Sequence, residues 1–391
     1  MSETTSNAIP ASLPLRNDLR GEEPYGAPQL DVPVCLNVNE NPYPPAPDVV
    51  DTIAERVREI APTLNRYPDR EHIALRKAFG DYLAKESGTR LAVEQLWAAN
   101  GSNEIMLQLF QAFGGPGRKA LSFTPTYSMY PEYARDTFTE WVTVPRNDDF
   151  TLDLDAAVAA IKDVRPAMVL VTSPNNPTGT PLPMDQTRTL LAACEEAGVD
   201  GAPEGVHPIL VVDEAYVEFR TPGVPSAVSL IDGHPNLAVS RTMSKAFAYA
   251  GARVGYIAAD KGIIDSMRIV RMPYHLSAVT QAAALAALEH TDEQLSTVAH
   301  LRETRERTAA WLETLTYKGR NLTVAHSESN FVYFGVFDNR DYIFNELLKR
   351  GVLIRDVGPD GWLRVCMGTD EEMDAFRKAF VEVLAAAEKE A

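Results

Sequence analysis

Between Leu96 and Ala259 the chain repeats one unit: a short apolar run, a turn of small or polar residues, then a helical stretch. Candidate strands fall at Leu96–Ala99, Lys119–Phe123, Glu140–Val144, Ala167–Thr172, Ile209–Val212, Leu237–Ser240 and Tyr256–Ala259. Helices are expected between them, near Asp155–Lys162 and Met184–Ala197, with another running to Phe113 and one opening at Thr124–Tyr127. Apolar runs too short for helices, alternating with helices, predict an α/β fold around a largely parallel sheet. In such a sheet a ligand binds in the crevice at the carboxyl ends of the strands. The residues that follow each strand are therefore the first place to look for chemistry.

The flanking segments differ in character. Residues Met1–Pro14 are rich in Ser, Thr, Ala and Pro and read as a mobile tail. Leu15–Pro47, rich in Pro, Asn and Gly, reads as an arm draped over another surface, with a partner subunit as one candidate. Asp48–Ile60 is expected to be an amphipathic helix with Asp48 as its cap, followed by a turn at Asn65–Asp69 and a helix over Glu71–Glu86. After the last apolar run come two long helical stretches, Ala278–Glu289 and Glu293–Leu315. The final part changes to strands at Leu322–Ala325, Phe331–Phe334, Val352–Ile354 and Trp362–Met367 around a helix over Asp341–Arg350, with a last helix from Glu371. At 391 residues more than one core is expected. The division read here is an N-terminal tail and arm over 1–45, a large sheet domain over 46–290 and a smaller α+β domain over 291–391.

A formal net charge of −17 argues against binding nucleic acid or an anionic membrane through bulk electrostatics. The three cysteines, Cys35, Cys194 and Cys366, are scattered, which suits a reducing compartment. Neither they nor the seven histidines show metal-ligand spacing, so no metal is expected. The N-terminus lacks a basic segment followed by an apolar run, and no apolar stretch is long enough to span a bilayer. A cytoplasmic location is expected.

Four strand ends carry chemistry. Asn100-Gly101-Ser102-Asn103-Glu104 follows a strand and opens a helix, an arrangement that turns free backbone N–H groups toward an anion. Ser173-Pro174-Asn175-Asn176-Pro177-Thr178-Gly179 is a loop stiffened by prolines, with asparagine amides aimed into the crevice. Asp213-Glu214-Ala215-Tyr216 puts a carboxylate at the end of an apolar strand, where it is costly to bury unpaired. In Thr242-Met243-Ser244-Lys245, small and apolar neighbours favour a neutral amine, which can join an aldehyde as a Schiff base. Ser244 and Arg253 offer a hydroxyl and a fixed cation for a phosphate. Pyridoxal 5'-phosphate needs this set: an amine for its aldehyde, a carboxylate for its ring nitrogen, donors for its phenolic oxygen, a ring to stack on and a phosphate anchor. Lys245, Asp213, Asn176 with Tyr216, Tyr127 and Gly101–Asn103 fill those places in order.

Asn-Pro-Thr-Gly, Asp-Glu-Ala-Tyr and Ser-Lys followed by Arg resemble the fold-type-I aminotransferases. Asn39-Glu40-Asn41-Pro42, Arg66-Tyr67-Pro68-Asp69, Ile354-Arg355-Asp356 and Leu363-Arg364 before Met367-Gly368-Thr369 narrow the resemblance to the histidinol-phosphate aminotransferase family in its actinobacterial form. It runs from about Leu15 to the C-terminal helix. The resemblance implies that Lys245, Asp213 and Tyr216 are catalytic. It implies cofactor contacts from Gly101, Ser102, Asn103, Tyr127, Asn176, Thr242, Ser244 and Arg253, with Tyr67 reaching the phosphate across a homodimer interface. Tyr25, Asn41, Asn176, Arg355 and Arg364 would bind substrate. Asn103 stands where many relatives have Asp, which leaves its side-chain role open. The implied substrates are L-histidinol phosphate and 2-oxoglutarate, with imidazole-acetol phosphate and L-glutamate as products.

Two rivals stand beside this reading. An aromatic amino-acid aminotransferase would share every cofactor motif, and only the Asn-Glu-Asn-Pro start and the Arg355-Asp356 pair favour the phosphate substrate. A cofactor-sensing transcription regulator would need a DNA-binding domain, for which the short polar stretch ahead of Leu15 is too small, and the acidic balance opposes it.

Overall fold

The computed structural model describes residue 10 and residues 12–387. Most of the expected polar tail therefore lies outside the described residues. Seven strands form the main sheet: β1 (Leu96–Ala99), β2 (Lys119–Thr124), β3 (Glu140–Pro145), β4 (Met168–Thr172), β5 (Ile209–Asp213), β6 (Leu237–Thr242) and β7 (Gly255–Ala259). Their spatial order is β1-β7-β6-β5-β4-β2-β3, parallel except for β7, which runs antiparallel to both β6 and β1. The α/β class with a mainly parallel sheet is thus as expected.

Side-chain alternation divides this sheet between two cores. Leu121, Val169, Val171, Leu210, Val212 and Val239 pack on one face against the helices Ile73–Glu86, Leu154–Val164, Met184–Glu196 and Ala278–Glu289. Met168, Leu170, Val211, Ala238 and Ile257 pack on the other against Ser102–Phe113, Tyr130–Asp136 and Lys261–Val270. The last of these helices is not among those expected from the sequence. Its signals are local: Asp260 caps it by accepting from the Gly262 N–H, and Ile263, Ile264 and Met267 form its buried stripe.

Four strands form a second, antiparallel sheet: β8 (Thr323–Val324), β9 (Phe331–Gly335), β10 (Arg355–Asp356) and β11 (Leu363–Cys366), in the order β8-β9-β11-β10. It packs with Ser296–Glu313 and Asp370–Ala387 into a further core. Tyr216 and Ala246, neighbours in sequence of Ala215 and Lys245, also belong to that core, so it meets the strand-end loops of the main sheet.

Several boundaries differ for physical reasons. The first long helix is Pro47–Ile60, with Ala46 at its N-cap and Pro47 at N1, so Asp48 is not the cap. Proline suits N1 because its missing N–H would be unpaired there anyway, and Asp48 still complements the dipole from the first turn. The next helix starts at Ile73, after His72 turns left-handed at φ 37°, with Asp69 accepting from the Glu71 and Ile73 N–H groups. The stretch at Glu293–Leu315 is broken at Leu295 into Thr291–Gln294 and Ser296–Glu313. The helix expected to open at Thr124–Tyr127 begins at Tyr130. The arm lies on its own chain: Val34 and Cys35 pair in parallel with Val352 and Leu353, and Arg16 covers the Phe138 ring.

Candidate active site

A cavity of about 960 Å³, counting its open mouth, lies where β4, β5 and β6 end. Thr172, Asp213 and Thr242, the last residues of those strands, line it. So do Ser102 and Asn103 from a helix N-terminus, Tyr127, Asn176, Tyr216, Ser244, Lys245 and Arg253 from the loops, and Tyr25, Arg355 and Arg364 from the arm and second sheet.

Asp213 is buried, and its Oδ2 accepts the Tyr130 hydroxyl at 2.8 Å while Oδ1 has no partner. Burial pushes its pKa up to about 6, against the opposing pull of the Tyr130 hydrogen bond. A buried carboxylate with a free oxygen is a place for an N–H donor. Sequence reasoning missed Tyr130. Nothing in its neighbourhood distinguishes it from Tyr127, and only the packing of helix Tyr130–Asp136 on the sheet aims it at β5.

Lys245 Nζ donates to the Val38 carbonyl at 3.2 Å and stands 5.8 Å from the Tyr216 ring centroid. Burial lowers its pKa to about 8, and the nearby Arg364 and Arg253 guanidiniums act in the same direction. Near neutrality about one-tenth of the amine is then unprotonated, against almost none for an ordinary lysine.

The anion side is built by close packing. Gly101 has φ +82°, and a Cβ there would sit 2.6 Å from an Arg253 guanidinium nitrogen. A Cβ on Gly255, at the start of β7, would lie 2.3 Å from the Ser102 nitrogen. At Gly255 only glycine lets the two backbones approach, and at Gly101 the left-handed φ favours it, which together bring the N-terminus of helix Ser102–Phe113 beside the Arg253 cation. Arg253 donates to Ser244 Oγ at 3.2 Å, and Thr242 Oγ1 takes the Ser244 N–H at 3.1 Å. Asn103 Oδ1 accepts the Tyr127 hydroxyl at 3.2 Å, which gives that asparagine a side-chain partner.

The opposite wall comes from distant sequence. Arg355 on β10 sits directly across from Arg364 on β11, so both guanidiniums share one sheet face. Arg364 donates to Asn176 Oδ1 at 2.5 Å and to the Asn37 carbonyl at 2.8 Å, and its Nε has no partner. Tyr25 reaches the same cavity from the arm, accepting from Ser128 Oγ at 3.2 Å.

Three expected residues are not among those that line the cavity: Gly101, which abuts the Arg253 guanidinium behind Ser102, Asn41 and Tyr67. Asn41 does not line the cavity: its amide donates to the Ala246 carbonyl and Thr297 Oγ1, and its oxygen accepts from the Tyr43 N–H. These three partners, two of them distant in sequence, occupy most of its hydrogen-bonding capacity in this structure. Asn37 and Asn39 line the cavity in its place. Val38 between them lines it as well, and Asn39 is left-handed, so no strand-like alternation marks these residues in the sequence. Tyr67 lies outside this chain's cavity, 79% exposed and stacked on Tyr274 with centroids 4.4 Å apart.

The family model for aminotransferase class I and II matches residues 32–380. The chain is 78% identical over 379 residues to a histidinol-phosphate aminotransferase of Bifidobacterium longum (strain NCC 2705), covering 97% of this chain and 98% of that one. It is 74% identical over 385 residues to the protein of the same name in Bifidobacterium adolescentis, covering 98% of each. Among solved structures it is similar to the histidinol-phosphate aminotransferase of Sinorhizobium meliloti in complex with pyridoxal-5'-phosphate. The TM-score is 0.77 at 26% identity, covering 91% of this chain and 92% of the other.

Proposed function

The chain belongs to aminotransferase class I and II and is a pyridoxal-phosphate-dependent transferase, and we propose that it moves an amino group reversibly between L-histidinol phosphate and 2-oxoglutarate. The products are imidazole-acetol phosphate and L-glutamate, in histidine biosynthesis. The residues present suit the cofactor. The free Oδ1 of Asp213 is matched by a protonated pyridine nitrogen, and the glycine-gated meeting of Arg253 with a helix N-terminus suits its phosphate.

When bound, pyridoxal phosphate supplies an aldehyde carbon to carry the amino group and a protonated ring to accept an electron pair. Lys245 holds the cofactor at rest. Lys245 Nζ would take the Cα proton, hold it and return it, for which its pKa of about 8 is suited. Asp213 keeps the ring nitrogen protonated, and that cation in turn offsets the cost of the buried carboxylate. Tyr216 and Asn176 orient the phenolic oxygen, and Tyr127 covers the ring face. Ser102, Asn103, Thr242, Ser244 and Arg253 hold the phosphate.

The observation that carries the substrate is the opposed pair of guanidiniums, Arg355 and Arg364, in the cavity that contains Lys245. Two cations on one wall suit a dianionic phosphate, and Arg364 alone suits the carboxylate of the second substrate. Arg355→Ala is expected to lower kcat/KM for histidinol phosphate about 10- to 100-fold and for phenylalanine about twofold or less. Equal losses would favour the aromatic amino-acid reading.

We also propose a cytoplasmic homodimer in which Tyr67 of the partner subunit completes the phosphate site. The exposed Tyr67–Tyr274 stack, with Met272 two residues before Tyr274 at 70% exposure, supports burial against a second copy. Among the described residues, no helix is long and apolar enough to cross a membrane. The division into 1–45, 46–290 and 291–391 is retained as part of this reading.

A further inference from the structure

In the sequence Asn39 stands out only as part of Asn-Glu-Asn-Pro. In the structure every polar group it has is engaged. Its backbone N–H donates to Cys366 Sγ at 3.0 Å, and the Cys366 thiol donates back to Asn39 Oδ1 at 2.7 Å. Its carbonyl accepts from Asn330 Nδ2 at 3.1 Å. That leaves Nδ2, which donates to the Tyr216 hydroxyl at 2.8 Å. Asn39 and Cys366 are both buried, and Asn39 holds a left-handed φ of 55°, a conformation asparagine tolerates better than most residues.

The thiol decides which way the amide faces. An amide flipped end for end would point N–H groups at the thiol and a carbonyl at Tyr216. In the structure Oδ1 takes the thiol proton, and the N–H end faces the phenol. The same logic operates on the other side, where the Arg364 guanidinium holds Asn176 Oδ1 and leaves Asn176 Nδ2 toward the Tyr216 hydroxyl at 3.5 Å. Both amides therefore present donors to one oxygen. A phenol has two acceptor sites and one proton. With N–H groups directed at its acceptor sites, its proton has no amide acceptor beside it and is free to point into the cavity.

We propose that Asn39, locked by the Cys366 thiol, is a positioning residue for the transamination: it makes the Tyr216 hydroxyl a donor into the cavity. This rests on the functional reading above, since the oxygen that receives the proton would belong to the bound cofactor. The charged and titratable groups around the phenol are Arg364, Cys366, Asp213 and Lys245; Asn39→Ala removes none of them, and Cys366→Ala removes only the thiol.

The test follows the visible absorbance of the loaded protein against pH, with the thermal midpoint recorded alongside. Asn39→Ala and Cys366→Ala are each expected to move the pH midpoint of the spectral change by about half a unit or more. Each should lower kcat about fivefold while KM changes less than about twofold. Cys366→Ser keeps a donor and an acceptor in place and is expected to restore both. A spectral midpoint that stays put in Asn39→Ala overturns the proposal. So does Cys366→Ala with only its thermal midpoint lowered. A second readout needs no ligand: the infrared S–H stretch of Cys366, isolated by subtracting the Cys366→Ser spectrum, should rise in frequency in Asn39→Ala. An unshifted band overturns the link between thiol and amide. If the parent protein takes up no pyridoxal phosphate, the functional reading fails on its own and the infrared result still stands or falls separately.

Discussion

The two walls of the cavity are made differently. The strand-end wall, with Asp213, Thr242 and Ser244, is buried and held by the ladder of β4, β5 and β6 and by bonds between near neighbours. The facing wall is assembled from the arm and the second sheet. Tyr25 is 48% exposed, and Arg364 is held through the carbonyl of Asn37, far away in sequence. The first wall is rigid because its strands are buried on both faces. The second joins a buried strand, β11, to an arm that reaches it through hydrogen bonds between distant segments. Chemistry that needs a fixed carboxylate and amine sits on the first, and groups that choose between substrates sit on the second.

The largest expected effect breaks the first wall. Lys245→Ala should remove the cofactor's lysine-linked absorbance and lower kcat at least about 10³-fold, because both the covalent anchor and the proton carrier are lost. Full activity in that variant would end the assignment. Asp213→Asn should follow, with kcat lowered about 10²- to 10³-fold and substrate KM changed little, measured by steady-state kinetics.

The same variant sharpens the comparison in the protein stripped of cofactor. Asp213 has its folded-state pKa raised to about 6 from an ordinary value of 3.8, so the folded protein favours its protonated form. Its contribution to stability is therefore full below about pH 4 and is lost as pH rises through about 6. Asp213→Asn should make the stripped protein more stable at pH 7 to 8, by about 1–3 kcal/mol in denaturant titration, with the gain vanishing near pH 4. A residue that costs stability until its ligand arrives marks a binding wall. A destabilised Asn variant would instead mark Asp213 as structural.

Lys245 gives a second pH test. The stripped protein should take up pyridoxal phosphate faster as pH rises through about 8, because the neutral amine is the reactive form. A rate that climbs only near the pKa of an ordinary lysine would contradict the burial argument. The smallest effect belongs to the second wall. Tyr25→Phe removes one hydroxyl and should lower kcat/KM for the donor about two- to tenfold, leaving the resting absorbance unchanged.

Much of the first wall is legible in the amino-acid order. Asp213, Asn176, Ser244 and Lys245 each follow an apolar run within a few residues, and in a parallel sheet strand ends gather at one edge. The second wall is legible only through resemblance, and there less accurately. The motif that contains Asn41 points to the right segment, yet Asn37 and Asn39 are the residues that line the cavity. A motif names a segment and not which of its side chains turns inward. The helix Lys261–Val270 is hard to read for another reason. Its buried stripe is short, Ile263, Ile264 and Met267, and it follows directly on the apolar strand β7.

The succession of strands along the chain, the alternation that buries both faces of the main sheet and the residue types at its carboxyl edge were settled by sequence, because each depends on local periodicity and neighbours. Tertiary structure alone decided that Tyr130 holds one oxygen of Asp213 while the other stays free. It also decided that Arg355 and Arg364 share a face, and that a thiol at 366 sets the amide at 39. Those are contacts between segments far apart in sequence, which only the packing of the arm, the helix at Tyr130 and the two sheets brings within hydrogen-bond distance.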